Sequence, residues 1–320
     1  MALVNRINRT FGTRLPLQVV FASPRLSDLA ARIGEDTAAP PSRLVPLGGA
    51  GEDRPVFCWP GLGGYPMNLR LLAAEAAPGR AFYGVQAQGI NDGETPHPTV
   101  AAMAAADIGE IRRVQPEGPY TLWGYSFGAR VAFEAAWQLE RSGAEVARLL
   151  LICPGNPRVR AAGAERHGRT ASYRNPAYVT ILLSVFTGSV DGPERDACLE
   201  QAHDEDTFVA FVHRLLPGVG EQVIRRITRI VAQTYAFDYT FHELAERRIA
   251  APVTVFKAAG DDYSFIEGRS GYSAAPPAVV DLVGDHYGVL TPHGVGELAA
   301  AIRAGSGPGS GPGPGPEAGA

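Results

Sequence analysis

A serine held between two glycines, Gly124-Tyr125-Ser126-Phe127-Gly128, follows the short apolar run of Tyr120, Leu122 and Trp123. Behind it, Val131, Phe133, Ala136 and Leu139 recur at helical spacing and stop at Ser142-Gly143, where glycine suits a helix end. A serine hydroxyl is a weak nucleophile until a sharp turn between strand and helix lifts it clear of its own backbone. Glycines flank it because a side chain there would collide. G-x-S-x-G in this setting is a nucleophile elbow, which makes Ser126 the candidate nucleophile. The hydroxyl also needs a base to take its proton. His286 fits best, because it follows the apolar run at 279–283 and precedes the last helical stretch. The other six histidines sit in helical, insertion or turn contexts that suit structural roles, and His293 is the one competitor nearby. Carboxylates are available at Asp261 and Asp262, directly after the strand-like run at 252–258. The loop Pro60-Gly61-Leu62-Gly63-Gly64-Tyr65 follows another apolar run, and glycine-rich backbone there can bring amide hydrogens up to a reacting oxygen. A hydroxyl, an imidazole, a carboxylate and amide donors together point to acyl transfer.

Positioning such groups takes a scaffold in which strands end where helices begin. Strand-like runs at 43–47, 55–59, 82–86 and 120–123 alternate with helical runs at 68–76, 100–114 and 131–139, and Thr99 is placed to cap the second helix. That alternation predicts a mostly parallel sheet covered on both faces. Strands at 252–258 and 279–283 follow, and Thr291-Pro292 is expected to open a final helix through Ile302. Between Pro154 and Arg248 the pattern changes to helical runs around 181–186, 208–216 and 223–235. An insertion of that length between two strands is most economically a helical lid, here about 155–248, since a structureless loop so long would be unusual.

The first 34 residues carry two helical patches, Leu3, Val4 and Ile7 and then Leu26, Leu29 and Ile33, with Ser23-Pro24 a good start for the second. So short a piece cannot bury a core alone and must lean on a neighbour. Residues 35–42 (EDTAAPPS) have the composition of an extended linker, and residues 304–320 have almost nothing to bury and are expected to be disordered.

Composition narrows the classes. A 320-residue chain with 45% hydrophobic content can bury a large core, and a net charge of −4 gives nucleic-acid binding no electrostatic support. Three cysteines, Cys58, Cys153 and Cys198, show no repeated spacing and suit a reducing compartment; Cys198, His203 and His213 do not make a convincing metal set. No apolar run is long enough to cross a bilayer, and the amino terminus lacks the layout of a secretion signal, so a cytoplasmic protein is expected.

The run FYGVQAQGI together with TVAAMAAADIGEIRRVQPEGPYTLWGYSFGARVAFEAAWQLE resembles the thioesterase domains that terminate nonribosomal peptide and polyketide assembly lines. The similarity extends over about 43–303 and is most specific at 114–139. It implies an α/β-hydrolase fold with a lid roofing the acyl channel. It also implies an oxyanion hole formed by the amides of Leu62 and Phe127, and a base at His286 in Gly284-Asp285-His286. LVNRINRTFGTRLPLQVVFASPRLSDLAARI resembles the last part of a peptidyl or acyl carrier domain. By that resemblance the phosphopantetheine-bearing serine would lie just before Met1 and is not in this chain, while Ser23 and Ser27 fall at a helix start.

The resemblance leaves the acid open. Many such thioesterases carry aspartate 27 residues after the nucleophile, where this chain has Cys153. An unperturbed thiol, with a pKa near ~8.5, orients an imidazolium far less well than a carboxylate. Asp261 is the preferred substitute, at the strand end used by stand-alone thioesterases and many other α/β hydrolases. Asp262 and Cys153 are the alternatives, and Asp285 is expected to point away. The implied activity is transfer of an acyl or peptidyl chain from a carrier's phosphopantetheine arm to Ser126, then release by hydrolysis or macrocyclisation. No cofactor is implied beyond that arm, and the implied partners are the upstream carrier and synthetase modules. A stand-alone editing thioesterase, a generic esterase and a catalytically degenerate docking domain are the competing readings.

Overall fold

A computed structural model of the chain describes residues 2–13, 15, 19, 25–34, 42–49, 51, 53–155, 170–235, 247–263 and 272–305. Two amino-terminal helices, α1 (Ala2–Phe11) and α2 (Leu26–Gly34), precede β1 (Leu44–Pro46) and β2 (Val56–Trp59). A 3₁₀ turn at Pro66–Leu69 leads into α3 (Arg70–Ala76), followed by β3 (Phe82–Val85), α4 (Val100–Val114), β4 (Tyr120–Tyr125), α5 (Phe127–Arg141) and β5 (Val146–Ile152). The insertion supplies α6 (Pro176–Thr187), α7 (Pro193–Gln201), α8 (Glu205–Leu215) and α9 (Glu221–Tyr235). The chain then returns through β6 (Val253–Ala259) and β7 (Ala278–Asp285), and α10 (Val295–Ala304) closes the described fold.

The seven strands form one sheet in the order β1-β3-β2-β4-β5-β6-β7. Only β1 runs antiparallel, against β3; every other pairing is parallel. β4 lies at the centre and all six of its residues are buried, as a strand covered on both faces requires. One face packs on α4 and α5 through Leu122, Ile108, Ile111, Phe133 and Leu139. The other packs on α3 and α10 through Trp123, Leu72, Leu298 and Ile302. Parallel strands place all their carboxyl ends at one edge of the sheet, so the loops after β2, β4, β5, β6 and β7 converge there.

The third apolar cluster lies above that edge. It joins lid residues Tyr178, Leu182, Phe208, Ile227 and Val231 to Val4, Ile7, Leu15, Val19 and Leu29 of the amino-terminal segment, so that segment leans on the lid. Leu3 and Leu26, expected in the buried patches, instead face outward at 50% and 79% exposure. In the lid, Asn175 caps α6 through the Ala177 amide and Asp204 caps α8 through a capping box with Thr207. The Ser23-Pro24 start, nearly all of the linker, residues 156–169 and 306–320 lie outside the described residues.

One expectation needs correction, and one helix was not expected. The last helix begins at Val295 rather than at Thr291, because residues 288–294 fold back on themselves. The Val295 amide bonds to the Thr291 carbonyl, and Gly294 runs so close to the Gly288 carbonyl oxygen that a Cβ there would stand 2.2 Å from it. His293 is therefore an exposed turn residue and not part of a helix. The helix α7 went unpredicted because PERDACLEQ is mostly polar and buries only Cys198.

Candidate active site

The elbow forms because two close backbone approaches exclude side chains. A Cβ on Gly124 would stand 2.4 Å from the Gly128 carbonyl oxygen, and one on Gly128 would stand 2.3 Å from that of Pro60. Ser126 is consequently forced to φ 54° and ψ −123°, a conformation an L-residue rarely adopts, and its amide bonds to the Ile152 carbonyl at 2.8 Å. The Ser126 hydroxyl thereby emerges from the sheet edge into a cavity of about 690 Å³.

His286 follows β7, and its Nε2 lies 2.8 Å from Ser126 Oγ. Its Nδ1 lies 2.6 Å from Asp261 Oδ2. A carboxylate can only accept, so the shared proton resides on Nδ1 and leaves Nε2 as the acceptor for the serine hydroxyl. Both side chains of the His286–Asp261 pair are almost fully buried, at 4% and 2% exposure, which shields the contact from solvent screening. Tyr125 donates its phenol to the His286 carbonyl at 2.6 Å. Burial, chiefly, holds that phenol well above its ordinary pKa, so it remains a donor. Tyr287 ties the same turn to the lid through a 2.6 Å hydrogen bond with Ser184.

Of the three candidate acids, the structure brings Asp261 to the histidine. Cys153 is buried at the end of β5 with φ 46°, and burial, reinforced by the neighbouring Asp261 charge, pushes its thiol well above its ordinary pKa. It is thus a neutral group beside the carboxylate. Asp261 is seated by Gly155, whose Cβ, if present, would stand 2.9 Å from both the Asp261 Cβ and the Tyr263 ring. Tyr263 accepts the Ala258 amide at 2.7 Å and lies 3.5 Å from Asp261 Oδ2. The His286 Nδ1 contact goes to Asp261 and not to Asp262. The Asp285 carboxylate accepts the amides of Tyr287 and Gly288, so it turns away from the site.

The two expected amide donors flank the serine. Phe127 is the first residue of α5, where helix geometry leaves an amide without an intrahelical acceptor. Leu62 follows Gly61, whose Cβ would stand 3.3 Å from the Ser126 Cβ, and both Leu62 and Phe127 line the cavity. Met67, Leu71, Ile181, Val185, Phe186 and Leu290 make its apolar wall. The lid forms part of the roof: a Cβ on Gly63 would stand 2.8 Å from Val185 and 2.9 Å from Ile227.

No group of three or more metal-binding side chains occurs among the described residues. Cys198 is a core residue of α7 with its thiol pushed up to about 12 by burial, His203 is exposed, and His213 bonds through Nδ1 to the Val219 carbonyl. No helix of the described residues is long and apolar enough to cross a membrane.

A family model described as Thioesterase domain matches residues 54–244, which include the elbow and most of the lid. The chain belongs to the thioesterase domain family. This thioesterase domain is 54% identical over 263 residues to the indigoidine synthase of Streptomyces lavendulae, covering 82% of this chain and 20% of that protein. It is 52% identical over 308 residues to the indigoidine synthase of Dickeya dadantii (strain 3937), covering 96% and 21%. The chain therefore spans about a fifth of the length of the curated relatives it matches. Among solved structures, the wild-type Vlm2 thioesterase domain superposes with a TM-score of 0.63 at 21% identity, covering 83% of this chain and 98% of that one. That likeness establishes the shared fold, an α/β hydrolase with mostly parallel strands and a helical insertion after β5.

Proposed function

We propose that this thioesterase domain releases an acyl or peptidyl chain from a synthetase, using Ser126 as nucleophile, His286 as general base and Asp261 as the acid that orients it. One observation carries the reading: Asp261, His286 and Ser126 form a continuous hydrogen-bonded relay that opens into a 690 Å³ cavity beneath the lid. His286 takes the hydroxyl proton as Ser126 Oγ attacks the thioester carbonyl. The Leu62 and Phe127 amides hold the oxyanion, and collapse expels the thiol, which regains the proton from His286. Water or a nucleophile within the chain then resolves the acyl-serine by the same steps in reverse. None of these steps calls on a metal or redox cofactor.

The substrate is carried on the phosphopantetheine arm of a carrier, whose attachment serine is not in this chain. Residues 1–34 are the end of that carrier. The match to the Dickeya relative, which spans 96% of the chain, supports a carrier and thioesterase joined as in a synthetase named for indigoidine. A cytoplasmic location accords with the cysteine usage. The assembled relay argues against the degenerate docking reading, and the carrier-like segment against a stand-alone editing enzyme.

Intact-mass analysis tests this reading. Incubation with an acyl-phosphopantetheine thioester should add one acyl mass to Ser126, and Ser126→Ala should abolish it. An adduct elsewhere, or faster turnover of simple esters than of carrier-bound thioesters, would overturn it.

A further inference from the structure

Beneath the loop that carries Leu62 lies a buried ion pair that the acyl-transfer steps do not use. Arg43 donates to Asp107 Oδ1 at 2.8 Å, and the Trp59 indole donates to Asp107 Oδ2 at 2.8 Å. Arg43, Asp107 and Trp59 are 8%, 5% and 3% exposed. Burial, the largest influence, pushes the Asp107 carboxyl up to about 6, with Arg43 and the Trp59 bond pulling the other way and Glu110 adding to the rise. His97 also borders this site, and burial and Arg43 lower its pKa. An isolated buried pair is a poor source of stability, because desolvating two charges offsets most of their attraction. Its geometry, by contrast, is specific: one carboxylate fixes a donor from β2 and one from the residue just before β1.

Trp59 is the last residue of β2 and leads directly into Pro60-Gly61-Leu62. Asp107, Trp59, Gly61, Gly63 and Gly64 all border one small cavity of about 30 Å³, and the three glycines offer no side chains to fill it. Holding the loop are the Trp59 anchor, the Ala87 amide bonding to the Gly64 carbonyl at 2.9 Å, the close approach of Gly128 to the carbonyls of Trp59 and Pro60, and the lid residues Val185 and Ile227 over Gly63.

We propose that Asp107 is a positioning residue for the oxyanion hole: clamped by Arg43, it holds the Trp59 indole and so sets where the Leu62 amide stands. This rests on the reading of Leu62 as an oxyanion donor. Arg43 and Trp59 bond to different oxygens of Asp107, and Asp107→Asn turns one of those oxygens into an NH2 group that only donates, so one contact is lost. Trp59→Phe removes only the indole donor and keeps the Arg43–Asp107 pair, so the test does not depend on one variant folding.

The experiment compares Ser126 acylation by an acyl thioester and by the matching dithioester, whose larger, weakly accepting sulfur gains little from amide donors. For both variants, kcat on the thioester should fall by about tenfold or more, since small misplacements of catalytic groups are costly. KM should be nearly unchanged, and the loss on the dithioester should be much smaller. Equal losses on the two substrates, a loss confined to KM, or no loss would overturn the role of Asp107. A Ser126→Ala arm separates the two failures. Acylation surviving there would overturn the active-site reading itself, and its abolition leaves the substrate comparison to decide the role of Asp107.

Discussion

The ends of β5 and β6 lie side by side at the same sheet edge, yet they present different chemistry to His286. β5 ends in Cys153, a buried neutral thiol, and β6 leads to Asp261, whose carboxylate meets the imidazole at 2.6 Å. On the proposed roles, the acid is specified by reach to one point in space and not by one position in the chain. Neighbouring parallel strands deliver their loops to the same place, so either can supply the group. The cysteine is buried beside the carboxylate that meets the histidine.

Substitutions can break that contrast. Asp261→Asn should have the largest effect, roughly 10⁴-fold in turnover by analogy with serine proteases that lose their acid, with Ser126 and His286 still in place. Gly155→Val comes next. Its side chain would push into Asp261 and Tyr263, and a displacement of the acid by about 1 Å can cost on the order of 10²-fold in kcat. Tyr263→Phe should remove the hydroxyl that accepts the Ala258 amide, lowering stability by about 1 kcal/mol in denaturant titrations and turnover by only severalfold. Cys153→Ala should change turnover least, by less than about threefold, since it removes a neutral neighbour that makes no bond to the imidazole. Its signature belongs at alkaline pH. The folded thiol keeps its proton well above the ordinary thiol value of ~8.5 while the unfolded chain loses it. Stability from this group is therefore complete below about pH 8.5 and lost as pH rises toward the higher folded value. Thermal melts of the wild type and Cys153→Ala between pH 8 and 10 should show that extra alkaline slope only in the wild type.

Much of this was legible because sterics leave a plain mark on sequence. The elbow required glycine at 124 and 128, since any side chain at either place meets backbone, and alternating strands and helices gave the parallel sheet. Asp261 was legible as the favoured acid once Cys153 occupied the other strand end. The helix α7 was not, because nine mostly polar residues carry no apolar period. The start of α10 was misplaced because Thr291-Pro292 has the composition of a helix start but serves a turn closed by Gly294. Asp107 was missed for a different reason: in ADIGEIRR it looks like one charge on a solvated helix face, and only its distant partners Arg43 and Trp59 show that it is buried.

The proton between His286 Nδ1 and Asp261 offers the most direct test. In a proton NMR spectrum of the intact chain, a far-downfield resonance should be present, should persist in Cys153→Ala and should vanish in Asp261→Asn. A resonance that survives in Asp261→Asn but disappears in Cys153→Ala would contradict the assignment of the acid to β6.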